Sequence, residues 1–100
     1  MKKILLCCAA GMSTSLLVNK MKAEAQKRGI EAEIWAEPLD KAKEEFAKAD
    51  VVLLGPQVKY ALPEAKKIAE ENNINIDVIS MVDYGMMNGA KVLDQALNLF

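Results

Sequence analysis

A chain of 100 residues, 52% apolar and 27% charged, has the length and balance of a single globular domain, residues 1–100, that buries its own core. A net charge of -1 and an isoelectric point near 5.4 exclude the basic face a nucleic-acid partner needs, and no apolar run approaches the ~20 residues that would insert in a membrane. The two cysteines are neighbours, Cys7 and Cys8, which excludes the usual cross-linking disulfide and points to a reducing cytoplasm.

The chain alternates strand and helix patterns. Its charged start and short apolar stretch are too brief for a signal peptide, and residues 3–8 read instead as a strand covered on both faces. A helix over 13–28 follows, with Leu17, Val18, Met21 and Ala25 on one side, Lys27 and Arg28 at its negative end and Gly29 to stop it. Residues 31–35 alternate charged with apolar, as an edge strand does. Leu39, Ala42, Phe46 and Ala49 then form the stripe of a second helix. A second all-apolar strand, 51–54, is stopped by Gly55-Pro56. A third helix over 61–72 accepts Pro63 in its first turn, a fourth strand spans 76–80, a loop surrounds Asp83-Tyr84-Gly85, and a last helix runs over 88–98 with Val92, Leu93, Ala96 and Leu97 inward.

Strands separated by helices predict an α/β fold: three layers around a four-stranded parallel sheet. The all-apolar first and third strands belong in the centre and the alternating second at an edge, which gives the order 2-1-3-4. Ligands of such sheets bind beyond the carboxyl ends of the strands, at the switch point between strands one and three. The loops after Cys8 and Leu54 are therefore the place to look for function.

The first of these loops reads Cys8-Ala9-Ala10-Gly11-Met12-Ser13-Thr14-Ser15. Small residues and a glycine let backbone N–H groups turn inward as an anion nest, and the start of a helix adds unpaired donors and a positive dipole end. A thiol at the lip of such a nest is pushed toward thiolate, and the hydroxyls at 13, 14 and 15 can cap the helix or donate to an oxyanion. Side-chain alternation separates the two cysteines: Cys7 packs against a helix layer, and Cys8, the last strand residue, is the candidate nucleophile with residues 9–15 as its phosphate loop. The bland alternative makes both thiols small core residues and the hydroxyls mere caps. A phosphatase loop would place an arginine six positions after the cysteine, where this chain has Thr14. Without that cation a hydrolase is poor, but a carrier of a slowly hydrolysed S-phosphoryl group benefits.

The run from Cys8 through Ser15 into Leu16-Leu17-Val18, with Ala49-Asp50-Val51-Val52-Leu53-Leu54-Gly55-Pro56-Gln57, Tyr84-Gly85 and Gly89, resembles the enzyme IIB component of the bacterial phosphoenolpyruvate-dependent sugar phosphotransferase system, lactose/cellobiose/diacetylchitobiose class. The resemblance covers essentially the whole chain. It implies a fold like that of the low-molecular-weight tyrosine phosphatases and no cofactor. It also implies a relay in which phosphohistidine on a IIA protein donates to Cys8. The phosphoryl group then passes to a sugar, a β-linked disaccharide such as cellobiose, diacetylchitobiose or lactose, held by the membrane IIC permease. The absence of histidine fits a donor imidazole that belongs to the partner. Cys7 departs from the aromatic residue often found before the active cysteine.

Around the loop, Gly55, Pro56, Gln57, Tyr60 and Tyr84 are candidates for the rim, each with packing or turn formation as its alternative. Met12, Leu16, Val58, Met86 and Met87 are candidates for an apolar docking border. Asp83 suits a turn or cap better than a general acid. The rival readings are a tyrosine phosphatase-like hydrolase and a non-catalytic anion-binding or redox module; the redox form lacks a C-x-x-C arrangement.

Overall fold

The structure, a computed structural model, describes residues 1–9 and 12–100, without the side chains of Met12 and Ser13. Strands β1 (Lys2–Cys8), β2 (Ala32–Pro38), β3 (Val51–Leu54) and β4 (Asn75–Val78) form a four-stranded parallel sheet in the order β2-β1-β3-β4. This is the expected order, and its cause is visible in the sequence. β3 and the part of β1 from Ile4 onward are buried throughout, whereas Glu33 and Glu37 in β2 and Asp77 in β4 need an edge to reach water.

Alternation along the central strands sorts the core into two layers. Ile4, Leu6, Val51 and Leu53 pack with Leu17 and Met21 of α1 (Met12–Lys27) and with Val92 and Leu93 of α5 (Gly89–Leu97). Leu5, Cys7, Val52 and Leu54 pack on the other face. Their partners there are Ala42 of α2 (Leu39–Glu45), Phe46 in the 3-10 turn that follows it (Phe46–Lys48), and Ala65 and Ala69 of α3 (Leu62–Glu71).

Several boundaries differ from the sequence reading. β2 runs on past residue 35 to Pro38, pairing with β1 as far as Cys8. A 3-10 segment, Pro56–Ala61, joins β3 to α3 and delays the helix to Leu62. The stretch expected as a loop around Asp83-Tyr84-Gly85 is a short helix, α4 (Met81–Gly85), capped by Ser80, whose Oγ accepts from the Asp83 N–H at 3.1 Å. Gly29 stops α1 as expected: it sits at φ +70° while the Ile30 N–H donates to the Ala25 carbonyl at 2.8 Å.

Gly89 sets how closely α5 approaches α1. A Cβ there would lie 2.8 Å from the backbone carbonyl carbon of Lys20, so one helix would have to shift. Gly89→Ala is expected to lower stability by about 1–3 kcal/mol, the usual cost of overpacking, despite the better helix propensity of alanine. Urea unfolding reads this as a lower midpoint, and an unchanged midpoint would mean that the two helices slide apart freely.

Candidate functional site

β1 and β3 end side by side, and their connections leave toward opposite sides of the sheet. Two bonds hold the exits level: the Gly55 N–H donates to the Cys7 carbonyl at 2.9 Å and the Ile79 N–H to the Leu54 carbonyl at 2.8 Å. The segments after β1, β3 and β4 therefore meet at one carboxyl edge.

The two cysteines there differ in surroundings. Cys7 is fully buried within the layer of Leu5, Phe46, Leu54 and Val58. Burial, reinforced by the neighbouring Cys8 charge, pushes its thiol from 9.0 up to about 12. Cys7 therefore stays neutral in the folded chain while an unfolded chain ionises it, so stability is unaffected below pH 9 and falls as pH rises from 9 toward 12. Cys7→Ala is expected to flatten that alkaline loss, read by urea midpoints across the range. At pH 8, iodoacetamide is expected to modify Cys7 in urea and spare it in the native chain; equal rates would contradict its burial.

Cys8 lies on the opposite side of β1 from Cys7, and its sulfur does not stand open at a lip as the sequence suggested. The residue is 0% exposed, and its thiol donates to the Glu37 carbonyl of β2 at 3.6 Å. The sequence could not show this, because it depends on β2 extending to Pro38 beside Cys8.

The other candidates divide. Ala9 is exposed; Ala10 and Gly11 lie outside the described residues, so the nest expected there does too. α1 begins at Met12, which puts residues 12–15 in its first turn, where N–H groups have no intrahelical acceptor. Ser15 is exposed, whereas Thr14 is buried at 1% and its Oγ1 bonds the Tyr84 Oη at 2.9 Å. Gln57 Nε2 donates to the same Tyr84 Oη, also at 2.9 Å. Gly55 is buried, Pro56 half-buried, and Tyr60 projects into solvent. Sequence separations of 70 and 27 residues hid the Thr14–Tyr84–Gln57 bonds; the available signal was that all three residues follow strand ends.

The apolar border is also redrawn. Val58 belongs to the core beside Cys7 and Met87 is half-buried, while Leu16, Tyr60, Met81, Val82 and Met86 are exposed. Each of these five follows the carboxyl end of β1, β3 or β4, on the same edge as Cys8. Among the described residues, no group of three or more Cys, Asp or Glu side chains is placed to hold a metal ion.

Residues 3–95 match the family described as PTS system, Lactose/Cellobiose specific IIB subunit. The chain belongs to this family. The oligo-beta-mannoside-specific EIIB component of Bacillus subtilis (strain 168) is 58% identical over 99 residues, which cover 99% of this chain and 96% of that protein. The galactose-specific EIIB component of Lactococcus lactis subsp. cremoris (strain MG1363) is 50% identical over 103 aligned residues, covering 98% and 95%. The lactose-specific IIB domain of Streptococcus pneumoniae shares the fold, with a TM-score of 0.89 at 22% identity over 99% of this chain and 97% of that one. As a IIB component of the lactose/cellobiose class, the protein is a phosphotransferase of sugar transport, and membership implies IIA and IIC partners. Among the described residues, no helix of this IIB chain is long and apolar enough to cross a membrane.

Proposed function

We propose that the chain, residues 1–100 acting as one cytoplasmic domain, relays a phosphoryl group through Cys8. The Cys8 thiolate attacks the phosphorus of a phosphohistidine on IIA; the P–N bond breaks, the imidazole leaves, and an S–P bond forms. A hydroxyl of the sugar held by IIC then attacks the same phosphorus; an O–P bond forms, the hydroxyl proton passes to solvent, and the S–P bond breaks to return the thiolate. Residues 9–15 receive the phosphoryl oxygens on the N–H groups of the loop and of the first turn of α1.

The observation that carries this reading is the position of Cys8. It is the last residue of β1, at the carboxyl edge where α1 begins, in a IIB chain whose other thiol is sealed in the opposite layer. A neutral thiol donates to Glu37; a thiolate or a phosphorylated sulfur has no proton to donate and is repelled by that carbonyl oxygen. Transfer therefore begins with the sulfur turning away from β2 toward α1. The exposed Leu16, Tyr60, Met81, Val82 and Met86 give each partner in turn an adaptable apolar surface at that edge.

The sugar is a β-linked disaccharide, a class compatible with the oligo-beta-mannoside specificity named for the Bacillus relative. Labelled phosphate on IIA, supplied with IIC-containing membranes and cellobiose, diacetylchitobiose or lactose, is expected to reach sugar only when this chain is present. Sugar labelling without the chain, or none with it, would end the relay reading. Hydrolysis of p-nitrophenyl phosphate is expected to stay at background, since Thr14 stands where a phosphatase has its arginine; rapid turnover lost in Cys8→Ser would favour a hydrolase instead.

A further inference from the structure

We infer that Tyr84 is the positioning residue of the first turn of α1, acting through Thr14 and Gln57, and this rests on the reading of Cys8 as phosphoryl acceptor. Tyr84 comes from α4, after β4; Thr14 from the first turn of α1, after β1; Gln57 from the 3-10 segment after β3. One phenolic oxygen thus ties together the three segments that surround the carboxyl edge, with a 2.9 Å bond to each of the other two. Tyr84 is 9% exposed and packed in the layer of Leu17 and Val92, so its ring is fixed and its hydroxyl marks a fixed point.

The consequence falls on α1. The N–H groups of its first turn have no intrahelical acceptors and are the ones the relay uses for phosphoryl oxygens. Thr14 lies in that turn, and its bond to Tyr84 sets where those donors point before any phosphate arrives. Donors fixed in advance stabilise developing charge without reorganising, and a misplacement of about 1 Å costs up to about 100-fold in rate.

Gly55 shows that the arrangement is built and not incidental. A Cβ at Gly55 would collide with Gln57 Oε1, so the bare glycine is what lets the glutamine side chain fold back to reach Tyr84. The next backbone neighbour, the Cys7 carbonyl oxygen, would be at an ordinary 3.4 Å. Gly55→Ala therefore displaces the tip of one flexible side chain and leaves the fold in place.

The test measures single-turnover phosphoryl transfer from phosphorylated IIA to the full chain, with urea midpoints and mass-spectrometric location of the label, for the unmodified chain, Tyr84→Phe, Thr14→Val, their double variant and Gly55→Ala. Tyr84→Phe keeps the ring and is expected to slow the limiting rate by about tenfold, with the IIA concentration at half-maximal rate changed by less than about twofold. The double variant is expected to be no slower than the slower single variant, because both remove the same link. Gly55→Ala, folded as tightly as the unmodified chain, is expected to show a smaller loss of the same kind. An unchanged rate in Tyr84→Phe with label on Cys8 would overturn the positioning role alone, as would losses that multiply in the double variant or fall only on the half-maximal concentration. Should Tyr84→Phe fail to fold, Gly55→Ala decides: an unchanged rate overturns the role. Label on another residue of the unmodified chain would overturn the Cys8 reading and this role together.

Discussion

Cys8→Ser is expected to reduce phosphoryl acceptance from IIA by more than about 10³-fold, whereas Cys7→Ala keeps it within about threefold. The contrast is large because adjacent side chains of a strand face opposite layers. Cys8 ends β1 at the carboxyl edge, its thiol on the Glu37 carbonyl, and on the proposed relay its removal takes away the atom that forms the S–P bond. A serine hydroxyl in its place is a far weaker nucleophile at neutral pH. Cys7 is packed with Leu5, Phe46 and Val58, and burial holds its thiol neutral, with its ionisation pushed up to about 12. Alanine is the clean replacement there, since serine would bury a hydroxyl among apolar side chains at a cost of about 1–3 kcal/mol. Cys7→Ser is thus expected to relay phosphate while unfolding at lower urea. Rates measured with phosphorylated IIA decide the matter; comparable losses in Cys8→Ser and Cys7→Ala would mean that the two thiols are not divided as the sheet divides them.

Phe46→Ala is the second large effect. Phe46 is the largest fully buried side chain among the described residues and joins the turn after α2 to Leu5 and Val52 of the central strands. Truncation leaves a cavity in a layer whose helix-side members include the small Ala42, Ala65 and Ala69, which cannot expand to fill it. The expected loss is about 3–5 kcal/mol, a third or more of the stability of many domains of this size. In calorimetry that is a fall in Tm of roughly 15–30 °C. Phe100, half-exposed with Lys2 over its ring at 4.7 Å, serves as the comparison, and its truncation is expected to cost far less. A fall of less than about 5 °C for Phe46→Ala would show that this layer repacks more freely than its burial implies.

Sheet order was legible because burial on two faces and burial on one leave different sequence patterns. Val51-Val52-Leu53-Leu54 admits no polar residue, so it belonged in the centre, and the charged–apolar alternation over 31–35, with Glu31 and Glu33, calls for the water that an edge provides. The stop at Gly29 was legible for a similar reason, since a left-handed residue after a long helix favours glycine. α4 was not legible. It is five residues long, too short for a periodic stripe, and the left-handed residue that ends it is Met87 at φ +51°, not the nearby Gly85. The half-buried Met87 side chain packs against the α1 layer, and that tertiary contact holds a conformation its own backbone disfavours.

The site was legible as a location and less so as geometry. Cys8 at the end of β1 and the start of α1 at Met12 lie within a few residues of each other, so local pattern was enough to place a candidate site there. The bond between Tyr84 and Gln57 was not local: the hydroxyl and the amide meet only after β3 and β4 are placed, and neither residue announces its partner. The orientation of Cys8 depended on the same long-range placement, because the oxygen that its thiol meets belongs to Glu37, 29 residues on.

The most direct test is to charge the chain with phosphorylated IIA, digest it under conditions that preserve S–P bonds, and locate the phosphate by mass spectrometry. The expected result is a single phosphate on the sulfur of Cys8. Phosphate on Cys7, on Ser13, Thr14 or Ser15, or on no residue of the chain, would contradict it.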